Sequence, residues 1–246
     1  EMGHNMGLSH DATSTLSYYG GHGSGDTSWG PIMGTGYNRN VSQWSKGEYY
    51  DANQLQDDLQ IISGRVAYRG DDHGGTAGTA TPLQVSGGTM ISSTTPETDP
   101  SNASPANKGV IERNTDVDVF SFYTGAGTVQ LNVKPWIQPA GTRGGNLDVL
   151  LELYDSGGAL VASNNAANLT TASISASLGQ GYYYLHVKNS GTGTPQVSPP
   201  TGYTSYGSIG QYFISGTIVD AAAPPLLTGI TPASAFTDTV VTMDIS

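Results

Sequence analysis

The stretch that decides the fold is Leu147-Asp-Val-Leu-Leu-Glu-Leu-Tyr-Asp155, in which apolar residues occupy every second position. A period of two is typical of a β-strand with one face buried. Similar runs recur through residues 110–220, separated by clusters of Gly, Asn, Asp and Ser. Regular short strands joined by such turns predict an antiparallel β-sandwich or jelly roll over this region.

The composition agrees with a turn-rich β protein, because the 246 residues include 34 Gly and 13 Pro and only 12% are charged. The 9 basic and 20 acidic residues give a net charge of −11, which would repel nucleic acid. Cys is absent, so any metal must be held by His, Asp or Glu. No run approaches the roughly 20 apolar residues needed to span a bilayer, so we expect no membrane span.

The chain before the sandwich divides into two segments. Residues 51–63 carry apolar side chains at helical spacing, with Asp51 as an N-cap and Gly64 as a stop, and this pattern predicts a surface helix. Residues 65–109 are rich in Gly, Thr, Ser and Pro, which predicts a linker or extended segment.

The most specific motif is the first stretch, Glu1-Met-Gly-His-Asn-Met-Gly-Leu-Ser-His-Asp11. Glu1, His4, Gly7 and His10 match the second part of the zinc-binding pattern His-Glu-x-x-His-x-x-Gly-x-x-His. The first His would be the residue preceding Glu1. Gly7 can adopt the left-handed conformation that ends a helix and brings His10 back as a ligand. The alternative is that Glu1 and His4 are solvated terminal residues and His10 is a loop histidine.

These residues resemble the metzincin metallopeptidases, and Asp11 after the last His is typical of their reprolysin-like branch. The resemblance covers residues 1–64 and implies the C-terminal part of a catalytic domain. The predicted fold class is therefore an α+β fragment joined to an antiparallel β-sandwich.

The resemblance also implies a Met-bearing turn, which Pro31-Ile-Met-Gly34 supplies, with Met33 as an apolar floor beneath the zinc. Asp11 is either a support for the loop that carries His10 or a solvated acid.

The resemblance implies zinc-dependent hydrolysis of peptide bonds in a protein or peptide substrate. Zinc bound by His4 and His10 would activate water, and Glu1 would transfer its proton to the leaving amine. Because Glu1 is not an initiator Met, we expect a fragment of a longer bacterial peptidase, with little or no activity by itself. The alternative is a cell-surface binding or adhesion protein with a degenerate peptidase region, in which the β-sandwich is the functional module.

Three runs in the sandwich, Asp116–Phe122, Leu147–Asp155 and Gly181–Val187, resemble the bacterial pre-peptidase C-terminal domain, a β-sandwich appended to secreted peptidases. This resemblance implies a secreted or cell-surface protein and places Phe120, Phe122 and Tyr184 in the core. The Tyr-rich runs offer a stacking surface for a polysaccharide or cell surface. Residues 226–246 resemble the start of an immunoglobulin-like IPT/TIG domain, truncated at its end.

Four Asp residues of the sandwich offer the hard oxygen ligands that Ca²⁺ prefers, namely Asp116, Asp118, Asp148 and Asp155. The alternative is that they cap turns, as Asp does in any β-sandwich. The run Asp71-Asp-His73 offers similar alternatives, a peripheral cation site or a solvated turn.

Overall fold

The computed structural model describes residues 1–138 and 143–221. These residues contain two α-helices, α1 (Met2–Met6) and α2 (Asp58–Ser63), and thirteen strands. In chain order the strands are β1 (Trp29–Pro31), β2 (Val41–Gln43), β3 (Thr81–Pro82), β4 (Val85–Ser86), β5 (Met90–Ile91), β6 (Lys108–Ile111), β7 (Val117–Thr124), β8 (Gly127–Pro135), β9 (Val149–Asp155), β10 (Leu160–Asn164), β11 (Ala172–Leu178), β12 (Gly181–Asn189) and β13 (Gly210–Thr217). The predicted IPT/TIG-like segment, residues 226–246, lies outside the described residues.

Most strands form two sheets that enclose one apolar core. The first sheet has the spatial order β10-β9-β12-β7-β3, and the second has the order β11-β8-β13-β5-β4, with β6 also paired to β13. The long strands pair in antiparallel fashion, whereas β3 joins β7 in parallel. The prediction of a β-sandwich is therefore confirmed.

Side chains at every second position of the long strands fill the space between the sheets. On β12, Leu185 is completely buried, and it lies opposite Phe120 of β7 and Leu153 of β9. The second sheet contributes Val129, Leu131, Val133, Ile174 and Ile214. Each buried aliphatic side chain stabilises the fold by about 1.5–3 kcal/mol. A slip of one residue would turn all of them outward, so this burial fixes the strand register.

The prediction that Tyr184 belongs to the core is wrong. On β12 the alternation places Leu185 and Val187 in the core, so Tyr183 shares their face and packs against the core. Tyr183 also stacks on Phe122 with 6.0 Å between the ring centroids. Tyr184 therefore lies on the outer face of the first sheet.

The α+β part of the fold-class prediction is also wrong. The structure has 35% strand and 6% helix, and α1 and α2 contain only five and six residues. The helix predicted from Asp51 begins at Asp58, because the side chain of Asp57 accepts a hydrogen bond from the Gln60 N–H and caps it there. Asp51 itself has a φ of 61°, which lies outside the helical region. Leu55, which precedes the cap, is 70% exposed.

The segment 65–109 is integrated into the sandwich through short strands. It contributes β3 to the first sheet, and β4, β5 and the start of β6 to the second. His73 fastens the segment, because its two ring nitrogens contact Thr81 Oγ1 and the Lys108 carbonyl, each at 2.8 Å. His73 is therefore held by the protein on both sides of its ring.

The first 64 residues pack against the long connection between β12 and β13, residues 190–209. Tyr203 of this connection joins a small buried cluster with Tyr19, Trp29, Val41 and Tyr49. Two further contacts reinforce it, one from His22 Nε2 to the Gly202 carbonyl at 2.7 Å and one from the Leu59 N–H to Tyr206 Oη at 2.8 Å. The N-terminal segment thus uses the sandwich loop as part of its own core.

We predict that Leu185→Ala lowers the free energy of unfolding by about 2–5 kcal/mol, because it leaves a cavity between the two sheets. The control is Val197→Ala, since Val197 is 59% exposed and its truncation should change stability by less than about 0.5 kcal/mol. Urea titrations followed by tryptophan fluorescence measure both values. Equal losses in the two variants would contradict the assigned core.

Candidate metal centre

A left-handed turn at Gly7 brings two histidines together. The helix α1 ends at Gly7, which has a φ of 96° and donates its N–H to the His4 carbonyl at 2.9 Å. The reversed chain then places His10 beside the helix, with 2.8 Å between His4 Nε2 and His10 Nε2. Both imidazoles are exposed to solvent on one side. The structure therefore places these two predicted ligands at one point.

The tautomer of His4 suits a metal ligand. Its Nδ1 lies 2.8 Å from the Leu8 carbonyl, which can only accept a hydrogen bond, so Nδ1 carries the proton and Nε2 presents a lone pair. Histidines that bind metals are commonly oriented in this way. Two nitrogens that each lie about 2.0–2.1 Å from a tetrahedral zinc are about 3.3 Å apart. The two Nε2 atoms, now 2.8 Å apart, would therefore have to separate by about half an ångström to bind zinc. The two residues fit zinc in chemistry and closely in position.

Met33 lies directly beneath α1. It is buried, and a Cβ atom added to Gly3 would come within 2.3 Å of its sulfur, so only glycine allows this approach. The Met33 carbonyl accepts a hydrogen bond from the Asp11 N–H at 3.0 Å. The Met-bearing turn and the loop that carries His10 are therefore joined through the backbone.

Asp11 is buried among other acids. Its Oδ2 has no hydrogen-bond partner among the described residues. Burial, followed by repulsion from Asp58 and Glu48, raises the pKa of Asp11 to about 7. This burial argues against the solvated-acid alternative. Asp11 holds the loop through its backbone, since its carbonyl also accepts the Tyr19 N–H at 2.8 Å.

Glu1 and the two histidines line one open cleft of about 350 Å³. The remaining lining residues are Tyr18, Ile32, Met33, Gly34, Thr35 and Tyr37. The cleft therefore combines a carboxylate, two imidazoles and an apolar floor. Imidazoles and a carboxylate are among the groups that metal-assisted hydrolysis uses.

Two residues that support His10 are not evident from the sequence pattern. Gln56 accepts the Ser9 N–H at 2.7 Å and donates to the Gly7 carbonyl at 3.3 Å, so it holds the turn closed. The Tyr18 ring packs on the His10 ring with 4.4 Å between centroids. Gln56 lies 47 residues beyond Ser9, and no local periodicity connects them.

The four candidate calcium ligands do not form one site. Asp116 and Asp118 lie together near Asp71, whereas Asp148 and Asp155 lie beside or on β9, two strands away from β7. Asp148 is completely buried and accepts a hydrogen bond from Tyr203 Oη at 2.8 Å. Asp155 caps a turn, because its Oδ1 accepts the N–H groups of two residues in that turn at 2.9 Å.

The outer face of the first sheet contains a second open cleft, of about 660 Å³. Tyr154, Tyr184, His186 and Lys188 line one wall. The Tyr154 and His186 rings lie 4.5 Å apart, and Lys188 forms an ion pair with Glu152 at 2.6 Å. The cleft therefore offers aromatic faces beside charged groups.

No protein-family model matches the chain, and no curated protein matches it. Among solved structures, the chain is similar to the pre-peptidase C-terminal domain of a collagenase from Bacillus anthracis, with 17% identity and a TM-score of 0.32 over 56% of this chain and 95% of that one. It is also similar to PliG of Aeromonas hydrophila, a periplasmic inhibitor of g-type lysozyme, with 14% identity and a TM-score of 0.32 over 57% of this chain and 96% of that one.

At such low identities and TM-scores, these similarities carry no argument about function, so the functional assignment depends on the geometry of the chain itself. The matched structures are the C-terminal domain of a collagenase and a lysozyme inhibitor, so zinc endopeptidase activity stays a prediction. Within the described ranges, no helix combines the length and the apolar character needed to cross a bilayer.

We predict that Asp148→Asn changes the pH dependence of stability. Burial raises the pKa of Asp148 from 3.8 to about 6, so the folded state holds this proton more tightly than the unfolded chain does. The free energy of unfolding of the natural chain should therefore fall as pH rises from about 4 to above 6. Asp148→Asn has no carboxyl proton to lose at this position. Its free energy of unfolding should therefore rise by about 2–3 kcal/mol relative to that of the natural chain between pH 4 and pH 7.5.

Urea titrations of both proteins at the two pH values measure this gain. The control is Asp26→Asn, because Asp26 is exposed and no comparable burial acts on it. If Asp148→Asn differs from the natural chain by the same amount at both pH values, burial of the ionised carboxylate is not destabilising and the interpretation fails.

Proposed function

We propose that His4 and His10 bind a zinc ion and that the site hydrolyses peptide bonds with Glu1 as the general base. The observation that carries this proposal is the approach of the two Nε2 atoms to 2.8 Å at an open cleft. Two side chains six residues apart meet in this way only because of the turn at Gly7. The Leu8 carbonyl, which leaves the Nε2 lone pair of His4 free to bind a metal, supports the same assignment.

Each residue of the cleft then has a distinct task. When bound, zinc supplies Lewis acidity that polarises a carbonyl and makes water more acidic. Glu1 accepts the proton of the attacking water and donates it to the leaving amine. Met33 closes the cleft from below with an apolar surface. Catalytic zinc sites have three protein ligands, and the third is predicted at the position preceding Glu1.

The first test is zinc affinity. We expect the chain to bind zinc and His10→Ala to weaken the affinity by about 100-fold or more, because one of the few protein ligands is lost. The matched control is His186→Ala, since His186 lies on the sandwich and lines the other cleft. Competition with a chromophoric chelator measures the affinities. An unchanged affinity in His10→Ala, or an equal loss in His186→Ala, would refute the assignment.

The second half of the test separates metal binding from chemistry. In the full-length natural protein, Glu1→Gln should retain zinc and lose about 10²–10⁴-fold in the rate of casein hydrolysis, because the general base is removed while the imidazoles stay. Zinc content by mass spectrometry and turnover of a fluorescent casein measure the two properties. Full turnover in Glu1→Gln would exclude its role as the base.

A second function, polysaccharide binding, is favoured by the cleft that contains Tyr154 and Tyr184. Exposed aromatic rings beside charged groups can stack on sugar faces and bond their hydroxyls. The overall fold favours such a binding role more than it favours a peptidase, because the sandwich makes up most of the described residues. Both functions suit a secreted or cell-surface protein.

For this second function, we expect the chain to be retained on at least one insoluble polysaccharide among cellulose, chitin and peptidoglycan. Tyr184→Ala should reduce retention by about tenfold, because stacking aromatic rings carry much of the energy of such contacts. The matched control is Tyr182→Ala, since Tyr182 is exposed on the same strand but does not line the cleft. Absence of retention on all three, or an equal loss in the control, would count against a sugar site here.

A further inference from the structure

An acidic cluster lies where the incoming segment 65–79 meets the first sheet. One carboxylate oxygen from each of Asp71, Asp116 and Asp118 lies within 4.8 Å of the other two. Asp71 belongs to the incoming segment, Asp116 to the turn before β7, and Asp118 to β7 itself. Three ionised carboxylates at this separation repel one another strongly, and a cation between them would remove that repulsion.

The side chain of Asp118 shows that this cluster is more than an exposed acidic surface. Asp118 has 0% exposure, and its Oδ2 accepts a hydrogen bond from Tyr212 Oη. Its other oxygen, Oδ1, has no partner anywhere in residues 1–138 and 143–221. A fully buried, ionised carboxylate oxygen without a partner is destabilising, and a cation beside the other two carboxylates would give it one.

A second buried acid stands beside the cluster. Glu112 is only 7% exposed, and its backbone N–H donates to Asp116 Oδ2 at 3.3 Å, so the two residues are in contact. Both carboxylate oxygens of Glu112 lack hydrogen-bond partners in the described part of the chain. Three buried oxygens in one place therefore lack a positive or hydrogen-donating neighbour.

Basic side chains do not neutralise this charge. The nearest ion pairs, from Arg69 and His73, go to Asp72 at 3.7 and 3.9 Å. Among the described residues, no ion pair reaches Asp71, Asp116 or Asp118. When these three carboxylates are ionised, the described basic side chains leave their charge unbalanced, and a cation could balance it.

We propose that Asp71, Asp116 and Asp118 bind a Ca²⁺ ion, with Glu112 beside them as a further carboxylate. The donors are all hard oxygens, which suit Ca²⁺ and offer no nitrogen or sulfur to zinc. Three carboxylates converge on one point, and Ca²⁺ accepts several protein oxygens in flexible geometry, whereas Mg²⁺ usually retains several waters. The ion fastens the segment before β3 to the start of β7, so it stabilises the entry of the chain into the sandwich.

The test is calcium binding to the metal-free chain, measured by isothermal titration calorimetry with CaCl2. We expect one site, lost in Asp118→Asn and weakened by about tenfold or more in Asp71→Asn. Asp71 is exposed, so Asp71→Asn keeps the test valid if Asp118→Asn fails to fold. The matched control is Asp155→Asn, because Asp155 caps a turn elsewhere and should leave the affinity unchanged.

A thermal readout accompanies the titration. CaCl2 should raise the unfolding temperature of the natural chain by a few degrees and that of Asp71→Asn by less at the same concentration, because a ligand that binds only the folded state stabilises it in proportion to its affinity. The proposal is overturned if no calcium binds, if MgCl2 binds more tightly than CaCl2, or if Asp155→Asn loses as much affinity as Asp71→Asn. None of these outcomes bears on the zinc site, because the two sites share no residue.

Discussion

The burial of alternating apolar side chains between the two sheets is the constraint on which the rest of the molecule depends. It fixes the register of β12 against β7 and β9, and β12 leads directly into the connection 190–209. That connection contributes Tyr203 to the buried cluster of the first 64 residues. The sandwich therefore determines where the N-terminal segment lies, and through it the position of the two histidines.

The N-terminal segment has little core of its own. Its cluster contains four buried aromatic or aliphatic residues besides Tyr203, so polar contacts to the loop carry much of its positioning. Tyr206 illustrates this, because its hydroxyl donates to Asp57 at 2.6 Å and accepts from the Leu59 N–H, which fixes the start of α2. Gln56, adjacent to that helix cap, in turn holds the turn between Gly7 and His10. A chain of specific contacts thus links the sandwich loop to the candidate metal centre.

The sequence predicts those features that depend on local patterns. The strands follow from the period of two, and the meeting of His4 with His10 follows from a glycine at the right offset in an eleven-residue stretch. Local patterns also explain the errors. Periodicity alone starts the helix at Asp51, although Asp57 provides the cap that the structure uses. Residues 182–184 are all tyrosines, so the sequence alone does not show that Tyr183, and not Tyr184, packs against the core.

Contacts between distant segments leave no periodic signal. His22 lies in a Gly-rich run that by itself indicates a solvated loop, yet it is buried and bonded to Gly202, 180 residues away. Asp71 likewise meets Asp118 only because the incoming segment packs beside β7. Such pairings are set by strand order, which a single sequence does not reveal.

Zinc K-edge X-ray absorption spectroscopy on the zinc-loaded chain tests most directly whether His4 and His10 share one metal ion. We expect two imidazole nitrogens at about 2.0–2.1 Å from zinc, and the loss of one of them in His10→Ala. A shell made only of oxygen ligands, unchanged in that variant, would show that the two histidines do not share a zinc ion.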